Sequence, residues 1–323
     1  MNYRGVSDLD AATRSLAETL PNDIDLVVGI PRSGLLAANL LCLYLDTPMT
    51  DVDGLCAGTV YESGERLSQP ASLKTAETVF VVDDSVHSGE QMRRTKNRID
   101  SHSLPFSIEY GAIYITPSGH TVVDHWAEVI SPPRVFGWNV LHHPMVRNYC
   151  VDIDGVLCRD PTPEENDDGP RYREFIKSVS PHIIPDERIG WLVTCRLEKY
   201  RSLTEDWLDR HGIAYDHLVM MDYPDKETRK AAGNHASYKA DIYESTEASL
   251  FVESDERQAE DIARQTGRSV FCYEAYDMIH PGQIKRLYRR NTNHVTSFLS
   301  NPLSFSRMAG EYLLNRGYHR LRR

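Results

Sequence analysis

The sequence predicts an α/β protein with two consecutive, Rossmann-like parallel-sheet domains. Short apolar runs of strand length, such as residues 79–82 and 149–151, alternate with longer segments of helical pattern. At two places such a run leads directly into a pair of acids, and parallel sheets gather polar sites at the carboxyl ends of their strands. The chain has 323 residues, which is enough for two domains of this kind.

The first acidic pair is Asp83 and Asp84, which follow the apolar run 79–82. A short turn rich in serine and glycine comes next, and a helical pattern begins at Glu90. A strand that enters a helix through a small-residue turn presents free backbone N–H groups to an anion. The two carboxylates can accept hydrogen bonds from vicinal hydroxyls, so the segment suits a ribose 5-phosphate.

A similar strand-turn-helix segment lies upstream. Residues 27–30 are apolar, the turn contains Arg32, Ser33 and Gly34, and a helix is expected over residues 35–45. Arginine has the charge and the donor geometry to bind a phosphate or pyrophosphate.

Together these two segments resemble the type I phosphoribosyltransferases. The resemblance implies that Asp83 and Asp84 hold the ribose hydroxyls of phosphoribosyl pyrophosphate (PRPP), and that the turn with Arg32, Ser33 and Gly34 contacts its pyrophosphate. It also implies a cradle for the 5-phosphate, formed by Ser85, Val86, His87, Ser88 and Gly89. The sequence departs from the family at Ser85, where an aliphatic residue is common, and at His87, where threonine is common.

The second acidic pair has the spacing D-x-D. Asp152 and Asp154 follow the run 149–151 and are followed by Gly155. At the end of a strand, two such carboxylates can converge on one metal ion, although the short pattern also arises by chance. Three later features favour a site: Thr194 after an apolar run, Lys239, and Glu253-Ser254-Asp255 after another run.

This order resembles the haloacid-dehalogenase-like (HAD) phosphatases over residues 148–274. The resemblance implies that Asp152 is the nucleophile and that Asp154 is the general acid and then the base. It implies that Thr194 binds phosphate and that Lys239 neutralises charge, with Lys226 and Lys230 as alternatives. It further implies Mg²⁺, bound by Asp152, the Asp154 carbonyl and an acid at Glu253 or Asp255. Residues 159–188 are too few for a large cap domain, so we expect a minimal cap.

Composition limits the function classes. The whole chain has a formal net charge of −11, which argues against general nucleic-acid binding. No signal peptide or membrane-spanning run is visible and the six cysteines have no metal-type spacing, so we expect a cytoplasmic protein. Residues 282–323 hold nine lysine or arginine residues and one glutamate. This basic extension either packs on the acidic body or lies on the inner face of an anionic membrane.

The predicted organisation is a phosphoribosyltransferase-like domain at residues 1–145, a HAD-like domain at 146–281 and the basic extension. Residues 51–76 match the place where phosphoribosyltransferases have a mobile loop that closes over the reacting carbon. That resemblance implies that Arg66 or Lys74 reaches the pyrophosphate; a solvated loop is the alternative. The cluster of Phe136, Trp138, His142 and His143 either packs between domains or lines an acceptor site.

The predicted function is bifunctional. One domain transfers 5-phosphoribosyl from PRPP to an acceptor, expected to be a glycan or lipid-linked glycan hydroxyl in bacterial polysaccharide synthesis. The other domain then removes the 5-phosphate and leaves ribofuranose. Two alternatives stay open: a nucleobase phosphoribosyltransferase with nucleotidase activity, and a regulator that senses PRPP without turnover.

Overall fold

A computed structural model describes residues 1–61, 73 and 76–282 of the chain. It contains two compact units, which divide between Val140 and Leu141. This division lies a few residues before the predicted boundary at 145, because Leu141 and the 3₁₀ turn Pro144–Asn148 group with the second unit. The expected roles of Arg66, Lys74 and the basic extension fall outside the described residues, except for Gly282 at the start of that extension.

The N-terminal unit is built around a parallel sheet. Within the described residues this sheet has five strands in the order β3-β2-β4-β5-β6, and a two-stranded sheet pairs β1 with β7. The strands are β1 Asn2–Arg4, β2 Leu26–Gly29, β3 Met49–Asp51, β4 Thr78–Val86, β5 Ser107–Ile115, β6 His125–Val129 and β7 Arg134–Phe136. The helices are α1 Val6–Ala17, α2 Gly34–Leu45, α3 Val52–Ala57 and α4 Glu90–Asp100.

Both faces of this sheet are buried, which explains the continuous apolar runs. Successive residues of β4 point to opposite sides: Val79 and Val81 enter one core cluster, whereas Phe80 and Val82 enter the other. Each of these side chains is fully buried. Strand β4 is therefore clamped from both sides, and its carboxyl end is held firmly in place.

The C-terminal unit has a second sheet. In the part of the chain that the structure describes it has six strands, ordered β10-β9-β8-β11-β12-β13; all neighbours are parallel except β12 and β13. The strands are β8 Tyr149–Val151, β9 Ile189–Leu197, β10 Tyr215–Met221, β11 Leu250–Glu253, β12 Val270–Cys272 and β13 Asp277–Ile279. The helices are α5 Pro170–Ser178, α6 Arg201–Arg210, α7 Lys226–Ala232, α8 His235–Ser245 and α9 Glu256–Thr266.

The ends of α9 show how the local sequence sets these elements. Asp255 is the N-cap, and its Oδ1 accepts a hydrogen bond from the Gln258 N–H at 2.8 Å. Gly267 ends the helix with φ of +63°, the left-handed conformation that favours glycine. The sequence predicted this helix to end near Gln265 with Gly267 beyond it, in agreement with the structure.

Two strands are longer than their apolar runs. Strand β4 continues through Asp83 and Asp84 to Val86, and β9 continues past Thr194 to Leu197. The backbone ladder to a neighbouring strand extends these strands even where the side chains are polar. None of the described helices has both the length and the apolar character needed to cross a bilayer.

Candidate functional sites

The acidic pair of the N-terminal unit lies inside β4 and is held by neutral donors. Asp84 is 4% exposed and Asp83 is 8% exposed. Ser33 Oγ donates to Asp84 Oδ1 at 2.7 Å, and the indole Nε1–H of Trp138 donates to Asp84 Oδ2 at 2.9 Å. The backbone N–H of Asp84 donates to Asp83 Oδ1 at 2.9 Å. The turn after β2 and the segment after β7 thus fix the orientation of this pair.

The neighbouring groups do not fully compensate the charges of Asp83 and Asp84, so a further donor or cation can bind there. Burial, followed by repulsion from Asp84, raises the pKa of Asp83 well above its ordinary value. Arg134 is the nearby cation, and burial lowers its pKa although both acids attract it. Its Nη1 is buried without a hydrogen-bond partner among the described residues. The site therefore holds two acids that the protein compensates only in part.

The turn between β4 and α4 is open to an anion. Gly89 has φ of +77°, and a Cβ there would come within 2.7 Å of Val122 Cγ2, so glycine is required. Thr116 Oγ1 donates to the His87 carbonyl at 2.8 Å and anchors the turn. Among the hydrogen bonds of the described residues, none is donated by the backbone N–H of His87, Ser88 or Gly89.

The turn that contains the predicted phosphate cradle is shorter than expected. Ser85 and Val86 belong to β4, where they pair with Tyr114 and Ile115 of β5. Only residues 87–89 form the turn, because the parallel ladder extends the strand past the two acids. The predicted binding roles of all these residues stay predictions.

The turn after β2 is brought against the acids. A Cβ at Gly34 would lie 2.9 Å from Asp83 Oδ1 and 3.1 Å from the Val82 carbonyl oxygen, so the start of α2 can approach β4 this closely only with glycine. Earlier in the same turn, the peptide bond between Pro31 and Arg32 is cis. Arg32 is exposed, and no ion pair within the described residues involves it. Its guanidinium is free to meet a ligand.

The C-terminal unit holds its acids differently, with buried cations. Lys239 of α8 lies 2.7 Å from Asp152 Oδ2 and 2.7 Å from Glu253 Oε2, and its side chain is 2% exposed. Burial lowers the pKa of Lys239, but the attraction of both carboxylates outweighs it and raises that pKa. The pKa of Asp152 is raised to about 7, and burial is the largest cause. Attraction to Lys239 lowers this pKa, whereas repulsion from Glu253 raises it. Of the three lysines considered from the sequence, the structure brings Lys239 to Asp152.

Asp154 has a partner that the sequence reasoning missed. Arg196 is fully buried, and its Nη2 donates to Asp154 Oδ1 at 2.6 Å, while its Nε lies 3.1 Å from Oδ2. Burial lowers the pKa of Arg196, but Asp154 raises it overall. Arg196 follows Thr194 by two positions on β9, a spacing that places two residues of a regular strand on one face, although the register to β10 shifts between Thr194 and Leu197. This two-residue spacing from Thr194 was the signal in the sequence that could have identified Arg196.

Several residues of this unit line one cavity of about 190 Å³. The predicted residues Asp152, Asp154, Thr194 and Lys239 are all in its wall. The wall also contains residues that the sequence reasoning did not select for a site, namely Asp160, Pro161, Asn166, Tyr172, Cys195, Arg229, His235, Ser254 and Gln258. Four of them come from residues 160–172, so the short segment after β8 closes one side of the cavity.

The predicted magnesium ligands Glu253 and Asp255 already have protein partners. Glu253 Oε1 accepts from the backbone N–H of Ser254 and Asp255, its Oε2 faces Lys239, and Asp255 caps α9. In the described part of the chain, no group of three or more His, Cys, Asp or Glu side chains could hold a metal ion. The predicted magnesium ligands also include the Asp154 backbone carbonyl, and the ligand set stays a prediction.

A comparison with known families bears on the N-terminal unit. The family described as "Phosphoribosyl transferase domain" matches residues 4–144. This range contains the turn at residues 32–34 and the acidic segment at residues 83–89, and it ends before Asp152. No curated protein matches the chain.

Two solved structures resemble a part of the chain. The chain resembles a purine phosphoribosyltransferase from Pyrococcus horikoshii Ot3 with 24% identity and a TM-score of 0.33, over 42% of this chain and 92% of that one. It also resembles a xanthine-guanine-hypoxanthine phosphoribosyltransferase of Helicobacter pylori with 14% identity and a TM-score of 0.33, over 43% and 93%. At these scores, neither structure identifies an acceptor for this chain.

Proposed function

We propose that the phosphoribosyltransferase domain in residues 4–144 transfers 5-phosphoribosyl from PRPP to an acceptor hydroxyl, and that the C-terminal unit then removes the 5-phosphate. The net product is an acceptor that carries an unphosphorylated ribofuranosyl group. The observation that carries the proposal is the pairing of buried Asp83 and Asp84 with an anion-ready turn at residues 87–89.

The N-terminal geometry supports binding of PRPP in one orientation. Three unused backbone N–H groups at residues 87–89 suit the 5-phosphate. The partly compensated carboxylates of Asp83 and Asp84 suit the two ribose hydroxyls, which donate hydrogen bonds. Arg32 is free to bind the pyrophosphate that leaves when the acceptor oxygen attacks the anomeric carbon.

The C-terminal cavity supports phosphoryl transfer through an aspartate. The Asp152 carboxylate attacks phosphorus, the P–O bond to the sugar breaks, and Asp154 protonates the departing oxygen. Water then attacks the aspartyl-phosphate and gives its proton to Asp154, which restores both acids. Thr194 and Lys239 lie in the same wall and suit the phosphoryl oxygens. Mg²⁺ belongs to this proposal as a companion of PRPP and of the cavity, without an assigned position.

The order of the two reactions favours a glycan hydroxyl as acceptor. A nucleobase acceptor would yield a nucleotide whose phosphate the second unit would remove again. A hydroxyl of a growing polysaccharide or of a lipid-linked glycan instead keeps the ribofuranose as the wanted product. Transfer to a nucleobase is the alternative reaction, and the experiment described next includes nucleobases to detect it.

The test uses the full chain with PRPP, Mg²⁺ and a panel of glycan acceptors and nucleobases, with products analysed by mass spectrometry. We expect Asp152→Asn to release pyrophosphate and to leave an acceptor that is heavier by one phosphate than the wild-type product. The double variant Asp83→Asn, Asp84→Asn is expected to abolish the first step.

Three results would overturn parts of the proposal. Unphosphorylated product from Asp152→Asn would refute the sequential scheme. Transfer to a nucleobase alone would replace the acceptor class. PRPP binding without any release of pyrophosphate would favour a sensing role over catalysis.

A further inference from the structure

Arg229 is a cation in the C-terminal cavity that no acid of the described chain compensates. It belongs to α7, lines the cavity and donates through Nη1 to the carbonyl of Cys195, the residue after Thr194. None of the ion pairs among the described residues includes it. Its Nε is shielded from solvent and has no hydrogen-bond partner. With Nη1 anchored to β9 and Nε shielded from solvent, Nη2 is the guanidinium nitrogen left for a ligand.

His235 lies close by in the sequence and lines the same cavity. It is the first residue of α8, one turn before Lys239, and its Nε2 is shielded from solvent without a partner. Burial, then the positive charges of Arg229 and Lys239, lower its pKa. A buried polar atom without a partner costs about 1–3 kcal/mol. Two such atoms among the residues of one wall show that the unliganded chain leaves polar groups unsatisfied here, and a ligand that reorients these side chains can supply the missing partner.

The other charged groups of the cavity are mostly engaged. Asp152 faces Lys239 and Asp154 faces Arg196, each at 2.7 Å or less. Asp160 also lines the cavity and, within the described residues, belongs to no ion pair; burial and the charge of Asp154 raise its pKa. Arg229 and His235 belong to no ion pair among the described residues, and Arg229 is joined through the Cys195 carbonyl to the strand that carries Thr194.

We propose that Arg229 and His235 form an oxyanion subsite that binds non-bridging oxygens of a terminal phosphate group beside Thr194. The ligand class is a phosphate monoester, and the free ligand that reports on the subsite is inorganic phosphate. The inference deepens the proposed function and rests on it for the identity of the ester. Binding of the anion itself does not require that the chain hydrolyse anything.

The experiment follows the imidazole resonance of His235 by NMR in the full chain, assigned by its loss in His235→Gln. This signal reports on the C-terminal cavity even when phosphate also binds the turn at residues 87–89. We expect a saturable shift on titration with inorganic phosphate. In Arg229→Gln the titration midpoint should rise about tenfold or more, and in Arg229→Lys by less, since the charge remains but the fork is lost.

The matched control is Arg257→Gln. This exposed arginine of α9 makes no ion pair with another described residue, and the wild-type midpoint should be retained. Circular dichroism of each variant checks that it is folded. Two results would overturn the subsite: a His235 resonance that phosphate does not shift, and a midpoint that Arg229→Gln leaves unchanged.

Hydrolysis of ribose 5-phosphate by the wild-type chain separates this inference from the proposed function. Hydrolysis without a phosphate-dependent shift at His235 would refute the subsite and leave the phosphatase proposal standing. A shift that depends on Arg229 without hydrolysis of any phosphate monoester would support the subsite and refute the phosphatase proposal.

Discussion

The two units each carry a pair of acids at the end of a central strand, but they hold those acids in different ways. In the N-terminal unit, Asp84 is bound by a serine hydroxyl and an indole N–H. In the C-terminal unit, Asp152 and Asp154 each face a buried cation, Lys239 and Arg196. Neutral donors orient a carboxylate without cancelling its charge, whereas a buried ion pair cancels the charge and fixes the geometry.

This difference matches the two chemistries proposed. A carboxylate that must accept hydrogen bonds from a sugar diol benefits from remaining negative and partly unsatisfied. A carboxylate that must attack phosphorus, itself surrounded by negative oxygens, benefits from cations beside it. Four changes test this comparison, and they are given in order of decreasing expected effect.

Lys239→Met gives the largest effect. It leaves Asp152 and Glu253 buried without their cation, which is expected to cost about 3–5 kcal/mol of the free energy of unfolding of the C-terminal unit. Urea unfolding followed by tryptophan fluorescence measures it. Lys177→Met, at an exposed position of α5, is the control and should stay within about 0.5 kcal/mol of wild type. An equally small change in Lys239→Met would show that the cation does not hold the acids.

Gly155→Ala comes next. This glycine follows Asp154 with φ of +80°, and a Cβ there would lie 2.4 Å from Ser254 Cβ. The left-handed backbone and the clash together should cost about 2–4 kcal/mol. Gly212→Ala is the matched control, with φ of +69° and no atom within 4 Å of the added Cβ, and should cost about 1–2 kcal/mol. Equal losses in urea unfolding would mean that the contact with Ser254 is unimportant.

The third change is the pH. The pKa of Asp152 is about 7 in the folded chain, whereas an unfolded aspartate titrates near pH ~3.9. The stability gained from the bound proton is complete below about pH 4 and is lost as pH rises through about 7. Between about pH 5 and 8, wild type should therefore lose about 1–3 kcal/mol relative to Asp152→Asn. A pH-independent difference in urea midpoints would contradict the raised pKa.

Trp138→Phe gives the smallest effect. It removes the hydrogen bond to Asp84 but keeps an aromatic ring against Phe136, whose ring centroid lies 4.9 Å away. The loss of one hydrogen bond, about 1 kcal/mol, should weaken PRPP binding about fivefold in calorimetric titrations. Trp126→Phe, at a position that is 40% exposed, is the control and should bind as wild type does. An unchanged affinity of Trp138→Phe for PRPP would show that the indole hydrogen bond does not contribute to PRPP binding.

The sequence predicted what depends on local pattern and missed what depends on distant pairing. Apolar runs located the strands, and the acids at their ends located both candidate sites. The bonds that orient those acids join residues 42 and 54 positions apart, in Asp154–Arg196 and Asp84–Trp138, and no local period reveals them. The extension of β4 over Ser85 was missed for the same reason, because the ladder to β5 decides it.

Asp168 has a consequence for engineering the C-terminal unit. It adopts φ of +56°, and its carboxylate accepts hydrogen bonds from the Lys199 ammonium, the Tyr200 hydroxyl and the backbone N–H of Lys226. One side chain thereby ties the segment after β8 to the start of α7. A designer who wants to enlarge the segment that closes one side of the cavity should lengthen the chain ahead of Glu165 and leave this anchor intact.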